Sequence, residues 1–431
     1  MPTSSQARIT RLAANTSIHR AFQWLHLHQP QLRRWMHELL VIPAPPFGEA
    51  ARAAWFLERF DALGLSDPHI DDAGNALALL PAAAAIDDNA VDPSSPVILL
   101  SAHLDTVFPL GTPLQPTEHP PRILAPGVCD NAAGLTGLLA IAAALRYAQF
   151  APAVPILFAA NVGEEGEGDL RGMRHLFTAS PFASRIRAAI ALEGAGTSAV
   201  VTRALASRRF RVTVTGPGGH AWADAGAPNP ILALARALLA LEAIPQSAQD
   251  STGAYPRTTL NIGQIAGGSA INSIPASATA WIDLRSTDPA HLASAETAMR
   301  HSLDLWILHP PTRSSIAPFT TRPRPADPSH VLAIHVIGDR PGGSLPQHSP
   351  LLATLQAVDR HLQIRTDPGL GSTDANIPLS LGIPAIAIGA GGIGGGIHTL
   401  QEWYDPTGRE TALRRILLTL VDTAAIAADI H

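Results

Sequence analysis

The chain of 431 residues contains no lysine and a single cysteine, Cys129. One cysteine excludes an intrachain disulfide, and with it a disulfide-stabilised scaffold, and is typical of a protein of the reducing cytoplasm. Charged residues make up only 15% of the chain, and the net charge is −5. This balance argues against a protein that binds nucleic acid or an anionic membrane surface.

Long apolar runs are also scarce. None reaches the roughly 18 residues needed to span a bilayer, and the longest, residues 134–145, is followed at once by Arg146. The N-terminal residues are polar and lack the apolar segment of a secretory signal peptide. Apolar residues nevertheless make up 46% of the chain, which excludes a disordered protein, and the length suits two to three domains. We therefore expect a folded, cytoplasmic protein.

The apolar patterns predict an α/β domain that is interrupted by a smaller α+β domain. Buried strands and helices alternate at first, which favours a mostly parallel sheet sandwiched by helices. From residue 207 polar and apolar residues alternate, and the order β-α-β-β-α-β resembles a ferredoxin-like split βαβ module. The α/β pattern then returns. We predict an α/β domain of residues 1–206 and 339–431, with an inserted domain of residues 207–338.

Five segments carry side chains that suit metal binding, and most of them follow a predicted strand. They are His103-Leu-Asp105 after strand 97–101, Asp130 before a helix, Glu164-Glu165 after strand 154–162, Glu193 after strand 186–192, and His398 after the glycine run 389–396. In open α/β sheets, ligands bind at the carboxyl ends of the strands. We therefore expect these side chains to meet at one edge of the sheet.

The residue types predict a site for two zinc ions. Zinc binds histidine nitrogen and carboxylate oxygen, and one carboxylate can bridge two ions about 3.5–4 Å apart. We predict that Asp130 is this bridge. One ion is expected to bind His103, Asp130 and Glu193, and the other to bind Asp130, Glu165 and His398. The same ligands also suit Co²⁺ or Mn²⁺.

Two further acidic residues stand beside these ligands. Asp105 follows His103 by two residues and points the same way on a strand end, so its carboxylate is expected to accept the second imidazole N–H and fix the tautomer. Glu164 is the predicted general base, which takes a proton from the attacking water and delivers it to the leaving amine. The three ligand carboxylates and Glu164 together supply a charge of −4, which balances the +4 of two divalent ions.

Each motif also has a simpler interpretation when it stands alone. A Glu-Glu pair is usually solvated, and Asp130-Asn131 could cap a helix. The glycine run 389–396 could be a nucleotide phosphate loop, but it lacks the lysine of such a loop and ends in His398. Cys129 could be the nucleophile of a metal-independent amidase or a small packing residue. A catalytically silent metal-binding scaffold stays open as well.

Together the motifs resemble the zinc-dependent family that includes peptidase T, glutamate carboxypeptidase, aminoacylase and succinyl-diaminopimelate desuccinylase. The resemblance runs from about residue 39 to residue 430. It matches the metal ligands and the general base named above, and the segments 371–376 and 389–396 are most similar to the peptidase T-like branch. Peptidase T itself has Asp at the fourth ligand, whereas this chain has Glu193, as carboxypeptidases and deacylases do.

The resemblance implies a zinc-exopeptidase-like fold whose inserted domain serves as lid and dimerisation domain. The segment 216–221 is similar to the lid motif, which implies that His220 reaches across a homodimer and polarises the scissile carbonyl. The segments 267–275 and 283–285 are similar to lid segments that hold substrate, which implies that Asn272 and Arg285 bind a carbonyl or carboxylate. The implied activity is hydrolysis of a small peptide or an N-acyl amino acid.

Overall fold

The computed structural model describes residues 4–83, 94–244, 257–309 and 330–429. The helices, numbered in chain order, are α1 (Ser4–Ala13), α2 (Thr16–Leu27), α3 (Gln29–Leu40), α4 (Ala50–Ala62), α5 (Gly134–Tyr147), α6 (Arg171–Thr178), α7 (Pro230–Ala240), α8 (Pro289–Leu308), α9 (Pro350–Leu362), α10 (Asn376–Ser380) and α11 (Arg409–Ala428). A π-helical turn, Val128–Ala133, directly precedes α5.

The strands are β1 (Ser66–Ile70), β2 (Ala76–Leu80), β3 (Val97–His103), β4 (Thr117–His119), β5 (Arg122–Leu124), β6 (Ile156–Asn161), β7 (Ile186–Leu192), β8 (Ala199–Ala204), β9 (Ala206–Thr215), β10 (Gly219–His220), β11 (Thr258–Gly267), β12 (Ser273–Ile274), β13 (Ser277–Ser286), β14 (Val331–Arg340), β15 (Gly343–Ser344), β16 (Asp367–Gly371), β17 (Ala385–Ile388), β18 (Ile393–Gly395) and β19 (Trp403–Asp405).

The chain folds into two compact units. The main unit comprises Met1–Ala204 and Gly343–His431, and the inserted unit comprises Leu205–Gly342. The insertion expected from the sequence, residues 207–338, falls inside the observed one. The change from continuous to alternating apolar residues is therefore a close marker of the first boundary.

The main unit is built on a mixed sheet with the order β1-β2-β6-β3-β7-β17-β8-β15, and β16 also pairs with β8. The four central strands β6, β3, β7 and β17 are parallel, as predicted. The margins differ from the prediction, because β2 is antiparallel to both β1 and β6, and β8 is antiparallel to both β17 and β15. The reason is local at β1 and β2, which are joined by a short turn, and only antiparallel strands can be joined in that way.

The core of the main unit lies between the central strands and the helices that flank them. Every residue of β3 is buried, and α5 is buried from Gly134 to Leu145. Both α5 and α11 pack against β3. Strands buried on both faces read as continuous apolar runs, which is why the sequence shows them clearly.

One helical stretch of the described residues, Val128–Tyr147, is long and apolar enough to cross a membrane by composition. It is longer than the apolar run counted in the sequence because the π-helical turn continues into α5. Of its most apolar window, 94% is buried inside the protein. This is the environment of a central core helix.

The inserted unit is an antiparallel sheet with the order β11-β13-β9-β14, covered by α7 and α8. The chain order β9-α7-β11-β13-α8-β14 gives the ferredoxin-like arrangement that the sequence predicts. It has its own core, in which Phe210, Leu234 and Met299 are fully buried. Asn229 caps α7 by accepting the N–H groups of Ile231 and Leu232, which explains where this helix begins.

A buried ion pair in the main unit gives the first prediction. Arg415 on α11 donates through Nε and Nη2 to Asp359 at 2.6 and 2.8 Å, and both side chains are buried. We expect Arg415→Met to lower the free energy of unfolding by about 3–5 kcal/mol, because it leaves a buried carboxylate without its cationic partner. Urea denaturation followed by tryptophan fluorescence measures the change.

Arg414→Met is the matched control for this prediction. Arg414 is the neighbouring residue on the same helix and pairs with Glu410, but its side chain is partly exposed. Exposed ion pairs contribute about 0–1 kcal/mol, so the control is expected to lose no more than that. Equal losses in the two variants would contradict the importance of the buried pair.

Candidate metal centre

The parallel strands bring the predicted ligands to one edge of the central sheet. His103 is the last residue of β3, and Glu193 directly follows β7. Glu165 lies in the loop that follows β6. Asp130 lies in the π-helical turn before α5, and His398 follows β18. The five side chains therefore come from five separate segments of the main unit.

These five side chains form two groups that share Asp130. In the first, His103 Nε2 lies 3.0 Å from Asp130 Oδ1 and 3.3 Å from Glu193 Oε1. In the second, His398 Nε2 lies 3.1 Å from Asp130 Oδ2 and 2.9 Å from Glu165 Oε1. Within each group the ligand atoms all lie within 4.8 Å of one another. The two oxygens of Asp130 thus face different groups, as a bridging carboxylate must.

In each of the two groups, the neighbouring carboxylates favour positive charge at the histidine. The hydrogen bond to Asp130 raises the pKa of His398 to about 9 even though burial lowers it. Burial also lowers the pKa of His103, but Glu193 and the neighbouring aspartates raise it well above its ordinary value. Without metal, protons on the two imidazoles therefore offset part of the carboxylate charge. The donor set of imidazole nitrogen and carboxylate oxygen fits divalent ions of the zinc type.

Asp105 departs from its predicted role in one detail. His103 Nδ1 lies 3.0 Å from the backbone carbonyl oxygen of Asp105 and 3.6 Å from its carboxylate. The carbonyl therefore accepts the imidazole N–H, and this bond still directs Nε2 towards the ligands. The carboxylate instead accepts the backbone N–H groups of Glu164 and Glu165 at 3.0 and 2.7 Å. Asp105 thus connects the His103 segment to the Glu164–Glu165 loop.

Glu164 lies in that loop directly before the predicted ligand Glu165. Glu164 is almost fully buried. Its backbone N–H donates to Asp105, so the start of the loop is fixed by the segment that follows β3. Burial raises the pKa of the adjacent Glu165 carboxyl. The loop therefore presents two carboxyl groups in a setting largely shielded from water.

His220 and Asn272, predicted from the lid motifs, are brought together in the inserted unit. β10 pairs with β12 so that His220 lies opposite Ser273, and the Asn272 carbonyl accepts the N–H of Ala221 at 3.0 Å. His220 Nδ1 accepts the backbone N–H groups of Trp222 and Ala223, each at 3.2 Å. A neutral ring then carries its proton on Nε2, and the residue is exposed.

Arg285 is not brought to this pair of strands. It lies within β13, opposite Ser207 of β9 and Thr259 of β11. Its Nε donates to Asp283 on the same strand at 2.6 Å, and 40% of the side chain is exposed. The guanidinium is therefore already paired with a carboxylate of its own strand.

A cavity of about 380 Å³ adjoins Asp130 and Glu193. Apart from these two carboxylates, its lining consists of glycine, alanine, isoleucine and Cys129. Burial raises the pKa of the Cys129 thiol to about 12. A thiol at this pKa holds its proton at neutral pH, which argues against the nucleophile hypothesis.

The glycine run 389–396 forms one wall of this cavity through Gly392 and Gly394. Gly392 has a φ of +75°, and a Cβ there would lie 2.5 Å from the carbonyl oxygen of Asp405. The run therefore allows the backbone to pass closely over β19 on its way to His398. Close packing is thus sufficient to explain the glycine at this position.

Two buried carboxylates beside the ligands are not among the predicted site residues. The Asp374 carboxylate accepts Asn161 Nδ2 at 2.8 Å, where Asn161 lies beside His103 in the sheet. Glu402 is fully buried and accepts three backbone N–H groups around Asp130. Burial raises the pKa of both carboxyl groups to about 7. Asp374 falls in segment 371–376, which the resemblance marked without giving it a role, whereas Glu402 lies in no motif noted in the sequence, and the partners of both lie more than 200 residues away along the chain.

The fold and the two ligand groups define a mixed α/β protein with a candidate dinuclear metal centre at the carboxyl edge of its sheet. Residues 99–424 match Peptidase family M20/M25/M40. Because the match covers more than half of the chain, the protein belongs to this family. The resemblance expected from the sequence is thereby confirmed.

Similar curated proteins are probable carboxypeptidases of fungi. The protein from Aspergillus clavatus is 32% identical over 205 residues, which is 44% of this chain and 45% of that protein. The protein from Emericella nidulans is 30% identical over 207 residues, which is 45% of this chain and 49% of that protein. The chain thus aligns with about half the length of the curated relatives it matches.

Similar solved structures include the aminopeptidase PepT from Bacillus cereus, with a TM-score of 0.67, 20% identity and coverage of 92% of this chain and 99% of that one. A tripeptidase from Staphylococcus aureus has a TM-score of 0.69, 20% identity and coverage of 91% and 98%. A dinuclear metal-binding M20 peptidase from Bacillus subtilis has a TM-score of 0.63, 12% identity and coverage of 92% and 98%. At these identities the likeness establishes the fold.

The raised pKa values of His103 and His398 predict that metal binding releases protons. A metal ion and a proton compete for the same imidazole nitrogen, so at pH 8 we expect about one to two protons to leave per chain. Isothermal titration calorimetry of the metal-free protein, in two buffers of different ionisation enthalpy, measures this release. The apparent affinity should also rise from pH 6 to pH 9. Heats that do not depend on the buffer would contradict the protonation of these histidines.

Proposed function

We propose that the protein is a binuclear zinc hydrolase that cleaves a peptide bond or an N-acyl amide bond in a small substrate. The observation that carries this proposal is Asp130, whose two oxygens face two separate ligand groups. Each group combines one histidine with two carboxylates, which suits zinc and also accommodates Co²⁺ or Mn²⁺. The membership of the chain in a peptidase family supports the same reaction class.

In the proposed mechanism the protein residues bind, orient and transfer protons. Two ions held by His103, Asp130, Glu193, Glu165 and His398 supply Lewis-acid chemistry. Glu164 takes a proton from the attacking water and returns it to the leaving amine. The bond from its N–H to Asp105 holds the start of this loop in place.

The inserted unit is proposed to complete the site in a homodimer. Two backbone N–H groups hold His220 Nδ1 as an acceptor, which leaves Nε2–H free to donate to an oxyanion. Asn272 lies beside His220 and is proposed to bind the substrate as well. Arg285 would bind a substrate carboxylate by exchanging it for Asp283, its present partner.

The cavity beside Asp130 and Glu193 supports a substrate with a small or apolar side chain next to the scissile bond. Its remaining lining offers no charged side chain to such a group. The fungal relatives named as probable carboxypeptidases favour a substrate with a free carboxylate. The aminopeptidase and tripeptidase structures share the fold and leave recognition of a free amine as the second candidate.

Hydrolysis of a panel of dipeptides, tripeptides and N-acyl amino acids tests the proposal. The metal-free protein is expected to be inactive and to regain turnover with zinc, Co²⁺ or Mn²⁺. Substrates blocked at the amine and those blocked at the carboxylate show which end is recognised. Turnover that survives chelation would contradict the metal-dependent reaction. No turnover with two ions bound would favour a catalytically silent metal-binding scaffold.

The same assay with Glu164→Gln tests the general base. The amide cannot accept the proton, so we expect turnover to fall by about 10²–10⁴-fold or more while two ions per chain stay bound. Glu167→Gln is the matched control, because Glu167 lies in the same loop and is exposed. Retained turnover in Glu164→Gln would contradict the assignment, and loss of metal would assign Glu164 to metal binding.

A further inference from the structure

We propose that Glu402 is a positioning residue that fixes Asp130 in its bridging orientation by binding the backbone around it. The proposal rests on the metal centre proposed above, to which it assigns a further residue. Glu402 Oε1 accepts the N–H groups of Cys129 and Asp130, each at 2.8 Å, and Oε2 accepts the N–H of Gly127 at 2.9 Å. The whole side chain is inaccessible to solvent.

These three N–H groups belong to the turn that begins the helix of the bridging ligand. The first N–H groups of a helix have no acceptor within the helix. A carboxylate is a strong acceptor for them in its ionised form, which these three hydrogen bonds favour against the effect of burial. Glu402 therefore binds the backbone of Asp130 itself and of Gly127 and Cys129 just before it.

Glu402 is also tied to the segment that carries His398. The two residues are four positions apart, and the Glu402 N–H donates to the carbonyl of Thr399 at 3.2 Å. Its own carbonyl accepts the N–H of Ala125 at 3.0 Å, directly before the turn of Asp130. Side chain and backbone together therefore couple the segments of two ligands that meet in the second group, where His398 Nε2 lies 3.1 Å from Asp130 Oδ2.

A purely structural role explains this arrangement less well. Among the described residues no arginine or histidine forms an ion pair with Glu402, so its burial is offset by hydrogen bonds alone. A buried carboxylate without a cation is a costly way to stabilise a fold. It is a suitable way to orient a metal ligand, since hydrogen bonds behind a ligand commonly change metal affinity by about 10–100-fold.

The test compares metal binding by the full chain and by Glu402→Gln. The amide keeps one carbonyl oxygen for Cys129 and Asp130, but it turns an NH₂ donor towards the N–H of Gly127. Dissociation constants for Co²⁺ and Zn²⁺ are measured on metal-free protein by competition with a chelating dye. We expect both ions to bind about 10–100-fold more weakly, because Asp130 belongs to both groups. The visible absorption of bound Co²⁺ should change as well.

Asp422→Asn is the matched control. Asp422 is a buried carboxylate of the same unit that accepts from Arg8 and Thr354, neither of which is a predicted metal ligand. This variant should lose stability but keep its metal affinity within about threefold and its Co²⁺ spectrum unchanged. Similar affinity losses in both variants would show that general destabilisation is the cause and would overturn the proposal.

Two further results separate a failure of the role of Glu402 from a failure of the proposed metal centre. Glu402→Gln that binds both ions as tightly as the unchanged protein overturns the role of Glu402 and leaves the metal centre intact. An unchanged protein that binds no Co²⁺ or Zn²⁺ overturns the metal centre itself. If Glu402→Gln does not fold, Glu402→Asp keeps the charge on a side chain that is one carbon shorter. That variant is expected to bind more weakly than the unchanged protein, and equal affinity contradicts the proposal.

Discussion

Repulsion between carboxylates at one edge of the central sheet is the constraint on which the rest of the site depends. Asp130 has negatively charged neighbours on two sides, because each of its oxygens faces another carboxylate together with a histidine. Like charges at such distances raise one another's pKa unless cations offset them. In the metal-free protein the imidazoles of His103 and His398 do so in part. Two divalent ions would do so fully.

The parallel centre of the sheet creates this concentration of charge. Because β3, β6 and β7 run in the same direction, their carboxyl ends and the loops beyond them share one edge. The loops are then held by donors from neighbouring segments. Asp105 binds the backbone of the Glu164–Glu165 loop, and Glu402 binds the turn of Asp130. The carboxylates outside the two candidate ligand groups thus order the backbone of those inside them.

Much of this arrangement was predictable because its signals are local. The strands at His103 and Glu193 are continuous apolar runs, and a polar residue at the end of such a run is easy to recognise. The βαββαβ pattern of the inserted unit follows from alternating residues and from the helix cap at Asn229. The grouping of the ligands into two sets around Asp130 was likewise predicted from the residue types, and the resemblance to a known family matched the same residues.

The remaining features depend on contacts between distant segments. The sequence could not show that the Asp105 carbonyl, rather than its carboxylate, accepts the His103 N–H, because the choice depends on the backbone of Glu164 and Glu165. Glu402 lies 272 residues from Asp130 along the chain, and only the folded backbone brings them together. The antiparallel margins of the sheet follow from its connections, which apolar patterns do not encode.

Anomalous diffraction from crystals grown with zinc would locate bound ions relative to Asp130. A bridging Asp130 predicts two anomalous peaks about 3.5–4 Å apart, one on each side of this residue, with His103 beside one and His398 beside the other. A single peak that leaves one oxygen of Asp130 without an ion would contradict the bridging role. Peaks away from Asp130 would contradict the proposed centre as a whole.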